Sequence, residues 1–86
     1  MDHRLVSARH VRGHVVRLCF ADGAQGEVDL SDDLDGPIFE SLRDVGTFAQ
    51  FRVDPVFRTL VWPNGADLAP EYLREKLVRA AGPLVG

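Results

Sequence analysis

The chain has a single cysteine, Cys19, a single tryptophan and a single tyrosine, and it contains no long uninterrupted apolar run. One thiol excludes an internal disulfide and a cysteine metal cage. A membrane-spanning helix needs about 18 or more consecutive apolar residues, so none is expected. No apolar segment of the signal-peptide kind follows Met1-Asp2-His3-Arg4, and the expected location is the cytoplasm. A basic excess is missing too: net charge is −3 with histidine neutral, against the footprint that general nucleic-acid binders use to displace counterions. Internal repeats, low-complexity tracts and linkers are absent. The 86 residues, 45% hydrophobic and 27% charged, have the balance of one globular domain over 1–86, with no helix-turn-helix extension expected inside it.

What charge there is lies unevenly. Residues 1–19 carry Arg4, Arg9, Arg12 and Arg17 against Asp2 alone, a net of +3, together with His3, His10 and His14. Residues 20–47 carry Asp22, Glu27, Asp29, Asp32, Asp33, Asp35, Glu40 and Asp44 against Arg43 alone, a net of −7. A basic edge beside an acidic middle can steer a charged partner or pair two copies head to tail, or it can simply be solvated surface.

Alternation of apolar and polar residues from Arg4 to Val11 and from His14 to Phe20, broken at Arg12-Gly13, predicts a β-hairpin. Asp22-Gly23 supplies a second tight turn, and Gly26, Val28 and Leu30 continue the inward face on a third strand. Pro37 suits the first turn of a short helix that places Ile38, Phe39 and Leu42 on one side and ends near Asp44 to Gly46. Phe48 to Val53 and Phe57 to Trp62, separated by Asp54-Pro55, predict a second hairpin. Asn64-Gly65 marks a loop. Pro70 then opens a closing helix with Leu73 and Leu77 on its buried stripe and Gly82-Pro83 as its stop. The expected class is therefore α+β, with one antiparallel sheet of about five strands covered on its apolar side by helices.

The strings Phe20-Ala21-Asp22-Gly23, Gly26-Glu27-Val28-Asp29-Leu30, Gly36-Pro37-Ile38-Phe39-Glu40-Ser41-Leu42-Arg43-Asp44 and Trp62-Pro63-Asn64-Gly65-Ala66-Asp67-Leu68-Ala69-Pro70-Glu71 resemble the domain of unknown function 2442 family over nearly the whole chain. The resemblance implies a small, mainly bacterial α+β domain. It also implies a gene setting beside another small protein, in a toxin–antitoxin-like pair. Some relatives append a helix-turn-helix domain. The family has no established activity.

Trp62 to Glu71 brings an indole, a carboxamide and two carboxylates onto one strand-to-helix loop. One reading is a recognition surface, with Trp62 as apolar anchor and Asn64, Asp67 and Glu71 as polar contacts. The other is structural: Trp62 fills the core, Asn64-Gly65 makes the turn, and Asp67 accepts N–H bonds near the helix start. Asp67 and Glu71, with Asp22 or Asp29, offer oxygens to a hard cation, but no calcium-loop motif accompanies them and no metal is expected. His10 and His14 flank the hairpin turn without a third ligand. Cys19 lacks a His or Asn to activate it. Neither a nucleophile elbow, a phosphate loop nor a dinucleotide fingerprint occurs, so no catalytic residue and no cofactor is expected. Arg9, Arg12 and Arg17 fall on one hairpin and suit a partner or phosphate edge.

The expected function is a non-catalytic interaction module, the small member of a bacterial two-protein pair, bound to a protein partner or to itself and not to a membrane. The alternatives are a component of a nucleic-acid-linked regulator and a small-ligand or metal-binding domain using Trp62 to Glu71.

Overall fold

The structure, a computed structural model, describes residues 4–80. The expected helix stop at Gly82-Pro83 and residue His3 lie outside the described residues. The first three strands are β1 (Leu5–Arg12), β2 (Val15–Phe20) and β3 (Gln25–Asp29), an antiparallel sheet in the order β1-β2-β3. Their alternation puts Val16, Leu18, Phe20 and Val28 on the buried face and Arg17, Cys19, Gln25 and Glu27 on the other. Gly23 adopts φ 92° in the β2–β3 turn, a left-handed conformation that a Cβ would strain. Asp22 Oδ1 accepts a bond from Ala24 N there.

After a 3-10 turn at Ser31–Asp33 come α1 (Pro37–Glu40), a second 3-10 turn at Ser41–Arg43, and α2 (Val45–Phe48). Leu42 is buried and Phe39 half-buried as expected, but Ile38 is 47% exposed. The chain departs from expectation at Asp44. Its carboxylate accepts bonds from Thr47 N and Thr47 Oγ1, both at 3.0 Å, and this N-cap starts a new helical turn where a stop was expected. Phe48 consequently ends a helix instead of opening a strand.

The second hairpin contracts to β4 (Arg52–Val53) and β5 (Leu60–Val61). Among the described residues there are five strands, divided between a three-stranded and a two-stranded sheet where one sheet was expected. One backbone bond, Leu5 N to Arg58 O at 2.9 Å, ties the start of β1 to the second hairpin. A bulge between Leu5 and Ser7 shifts the register of β1 just beyond that point, and Pro55 and Pro63 on either side of β5 have no N–H to extend a ladder.

The C-terminal helix α3 (Pro70–Ala80) buries Leu73 and Leu77. It seats closely on β3 because position 26 is glycine: a Cβ there would lie 2.7 Å from Leu77 Cδ1. Arg74 fixes the other side. Its guanidinium forks onto Asp22 at 3.0 and 2.7 Å and lies 5.3 Å from the Phe20 ring centroid. That bidentate bond is the first cause of an Asp22 carboxyl held below its ordinary range, followed by Ala24 N. Tyr72 donates its hydroxyl to Asp33 Oδ1, and Lys76 Nζ stands 2.9 Å from Asp33 Oδ2. The core joins sheet, helices and second hairpin through Leu5, Phe20, Leu30, Leu42, Phe48, Leu60, Trp62 and Leu73.

Candidate functional site

Trp62 is a core residue. It is 3% exposed, its Nε1 donates 2.8 Å to Phe48 O, and its ring lies 5.7 Å from that of Phe48. The exposed apolar anchor considered from sequence is therefore corrected: an indole whose N–H is satisfied inside the core leaves nothing for a partner to grip.

Asn64 sits at the surface but its polar atoms are committed. Nδ2 donates 2.8 Å to Ile38 O and 3.3 Å to Ser41 Oγ, while Oδ1 accepts from Ala66 N at 3.0 Å. One amide thus closes the turn and staples it to α1. Gly65, at φ 89°, completes the turn. Trp62 N donates to Ala66 O, and Gly65 N to Trp62 O. Asp67 and Glu71 remain exposed. Asp67 pairs with Val61 through an isolated backbone bridge. Asp22 is taken by Arg74. Among the described residues no group of three His, Cys, Asp or Glu side chains comes together in a metal-binding arrangement.

The turn on the other side of β5 behaves oppositely. Asp54 Oδ1 accepts from both Val56 N and Phe57 N at 2.8 Å, and Arg58 N donates 2.8 Å to Asp54 O. The two amides, Phe57 first, hold the Asp54 carboxyl below its ordinary range. Arg58 takes φ 53°, the sole positive φ at a non-glycine among the described residues. The result is a tight five-residue turn that leaves Val56 78% and Phe57 72% exposed. Sequence reasoning placed Phe57 at the start of a strand. The usable signal was that consecutive residues of a strand face opposite sides, so Val56 and Phe57 could not both reach one core.

On the first hairpin, Arg9 lies directly across from Arg17, and Arg17 directly across from Glu27. Glu27 turns to Arg12 at 3.8 Å, and Arg17 Nη2 donates 3.1 Å to Gln25 Oε1. The histidines point away from this surface. His14 Nε2 donates 3.0 Å to Leu42 O and packs edge-on against Phe48 at 4.8 Å, and His10 Nε2 donates to Gly13 O at 2.8 Å. A carbonyl only accepts, so both Nε2 atoms carry the proton. Each ring is used structurally. Cys19 is half-buried on the outer face.

No helix among the described residues is long and apolar enough to cross a membrane. The family model "Protein of unknown function (DUF2442)" matches residues 5–79, and the chain belongs to that family. No curated protein matches the sequence. Among solved structures, the fold is similar to the crystal structure of a "Putative DNA Binding Protein" from Nitrosomonas europaea, with TM-score 0.80 and 19% identity. The match covers 92% of this chain and 51% of that one, so the chain spans about half the length of its neighbour. At that identity the likeness is one of fold.

Proposed function

For this member of the DUF2442 family we propose a non-catalytic interaction module whose contact surface centres on Val56 and Phe57. The observation that carries the reading is the Asp54 turn, which spends three hydrogen bonds holding two adjacent large apolar side chains out in water. Apolar groups held in a fixed, exposed geometry lose little conformational freedom on docking, and an aromatic among them is a typical interface anchor. The backbone bond from Leu5 to Arg58 brings exposed Val6 to the same end of the molecule. The occupant that suits this end is an apolar pocket on a second protein, such as the companion of a toxin–antitoxin-like pair.

Affinity capture of the tagged protein from its native lysate, run in parallel with Val56→Ser/Phe57→Ser, tests this. A stoichiometric protein retained by the wild type and lost by the variant supports the reading. Identical captures, or an empty wild-type capture without self-association in sedimentation, overturn it.

A component of a nucleic-acid-linked regulator is the second reading, supported by the name of the Nitrosomonas europaea neighbour, a "Putative DNA Binding Protein". A flat response in a low-salt DNA titration removes it.

A further inference from the structure

Two arginines stand side by side on the outer face of the first sheet without a carboxylate between them. Arg9 and Arg17 are direct cross-strand partners of β1 and β2, a relation that puts both side chains on one face with Cβ atoms roughly 5 Å apart and costs stability when the charges are alike. The available relief is not used. Glu27 lies directly across from Arg17 on β3 but is engaged by Arg12, and Arg17 reaches to the neutral amide of Gln25. Arg9 makes no ion pair or side-chain hydrogen bond among the described residues.

These groups line an open groove of about 460 Å³. Its floor and walls come from Ser7, Arg9, Arg17, Cys19 and Gln25, with Ala8 and Leu18. Two cross-strand rows define it. The row Ser7–Cys19–Gln25 is neutral and polar, and the row beginning Arg9–Arg17 carries the positive charge. Glu27, which ends the second row, is outside the lining. In a chain of net charge −3, this is a place where two planar guanidinium forks meet, that of Arg9 exposed and that of Arg17 half-buried with one N–H lent to Gln25, with a hydroxyl beside them and no acid among the lining residues.

We infer that the groove is an oxyanion site, built for a phosphate group held between the Arg9 and Arg17 guanidiniums with Ser7 Oγ as an additional donor. Guanidinium matches a tetrahedral phosphate by paired N–H···O bonds, which an ammonium cannot supply in the same plane. A dianion between the two forks also removes their mutual repulsion, so the arrangement that is unfavourable in the empty domain becomes favourable on binding. The phosphate belongs either to a small phosphorylated molecule or to a nucleic-acid backbone. The inference does not depend on the Val56–Phe57 surface.

The experiment is a titration of the isotope-labelled chain with inorganic phosphate at constant ionic strength, against chloride, following the arginine Nε–Hε resonances. A parallel arm uses a short oligothymidylate. Saturable shifts of the Arg9 and Arg17 signals with phosphate, weakened at least about tenfold in Arg9→Gln and in Arg17→Gln, support the site. Arg9→Lys, which keeps the charge and loses the fork, is expected to fall between. Saturation by phosphate without tighter oligonucleotide binding identifies a small phosphorylated ligand, and tighter oligonucleotide binding identifies a backbone. A response no different from chloride in both arms, or affinities unchanged in both glutamine variants, overturns the inference. Misfolding is separated by melting: removing one of two like charges leaves the melting temperature of Arg9→Gln equal to or above that of the wild type.

Discussion

The Asp54–Arg58 turn and the Trp62–Ala66 loop flank the same two-residue strand, yet they spend their hydrogen bonds to opposite ends. In the loop, the Trp62 indole bonds into the core and the Asn64 amide reaches across 26 residues to Ile38. Its distinctive residues serve the fold. In the turn, the Asp54 carboxylate bonds only its own neighbours, and the side chains that follow project into water. The comparison teaches that a conspicuous string marks a demanding structural position as readily as a binding one, and that an exposed pair held by an ordinary Asp-Pro turn is the stronger pointer to contact.

The largest effect should come from testing the inward side of the comparison. Trp62→Ala removes a buried aromatic and leaves Phe48 O without its donor, and is expected to cost roughly 3–5 kcal/mol in urea unfolding. For a domain of this size that is a large part of the total. A cost below about 1 kcal/mol would return Trp62 to the surface and dissolve the contrast.

How much of this was legible in the sequence follows the same division. The first three strands were readable because period-two alternation and Asp22-Gly23 agree with each other, and α3 because Pro70, Leu73 and Leu77 do. Phe48 was misplaced because its strand preference is outweighed by a local bond that sequence spacing does show, Asp44 to Thr47 three residues on. The division into two sheets was not readable. The pairing of β1 with the second hairpin stops at one backbone bond, Leu5 N to Arg58 O, and no residue signature marks that stop. Of the candidate site, the choice between core and surface for Trp62 rested on where Phe48 O would lie, a matter of tertiary geometry.

A smaller effect is expected at Asn64. Asn64→Ala loses the bonds to Ile38 O and Ala66 N, but at an exposed position where water replaces them in part, and about 1 kcal/mol is the expected cost. The amide of Ala66 should show faster hydrogen exchange in the variant. Equal stability would mean that the loop holds its shape without this staple, leaving Asn64 available to a ligand.

On the outward side, Arg58→Gly is expected to stabilise slightly. A side chain at φ 53° carries a left-handed penalty of about 1–2 kcal/mol, against the roughly 0.5–1 kcal/mol that glycine adds through unfolded-state entropy. The net gain by thermal melting should fall between about 0 and about 1.5 kcal/mol. A loss instead would show that the arginine side chain, and not only the turn, supports the hairpin.

The smallest effect is local and separates the two loops by acid alone. Asp54 is held ionised by the N–H groups of Phe57 and Val56, so its folded-state pKa lies below the ordinary aspartate value of 3.8. In the unfolded chain it would bind its proton first as pH falls. Its contribution is therefore intact above about pH 4–5 and is lost as pH drops through the lower folded value. Asn64 has no proton to gain. Amide shifts of Val56 and Phe57 should accordingly titrate on acidification while that of Ala66 stays flat until global unfolding. Asp54→Asn keeps an oxygen acceptor without the charge, and should abolish the titration while leaving the turn formed. If Val56 and Phe57 stay unresponsive in the wild type, the turn is held by its backbone bond from Arg58 N to Asp54 O, and the carboxylate is not what presents the apolar pair.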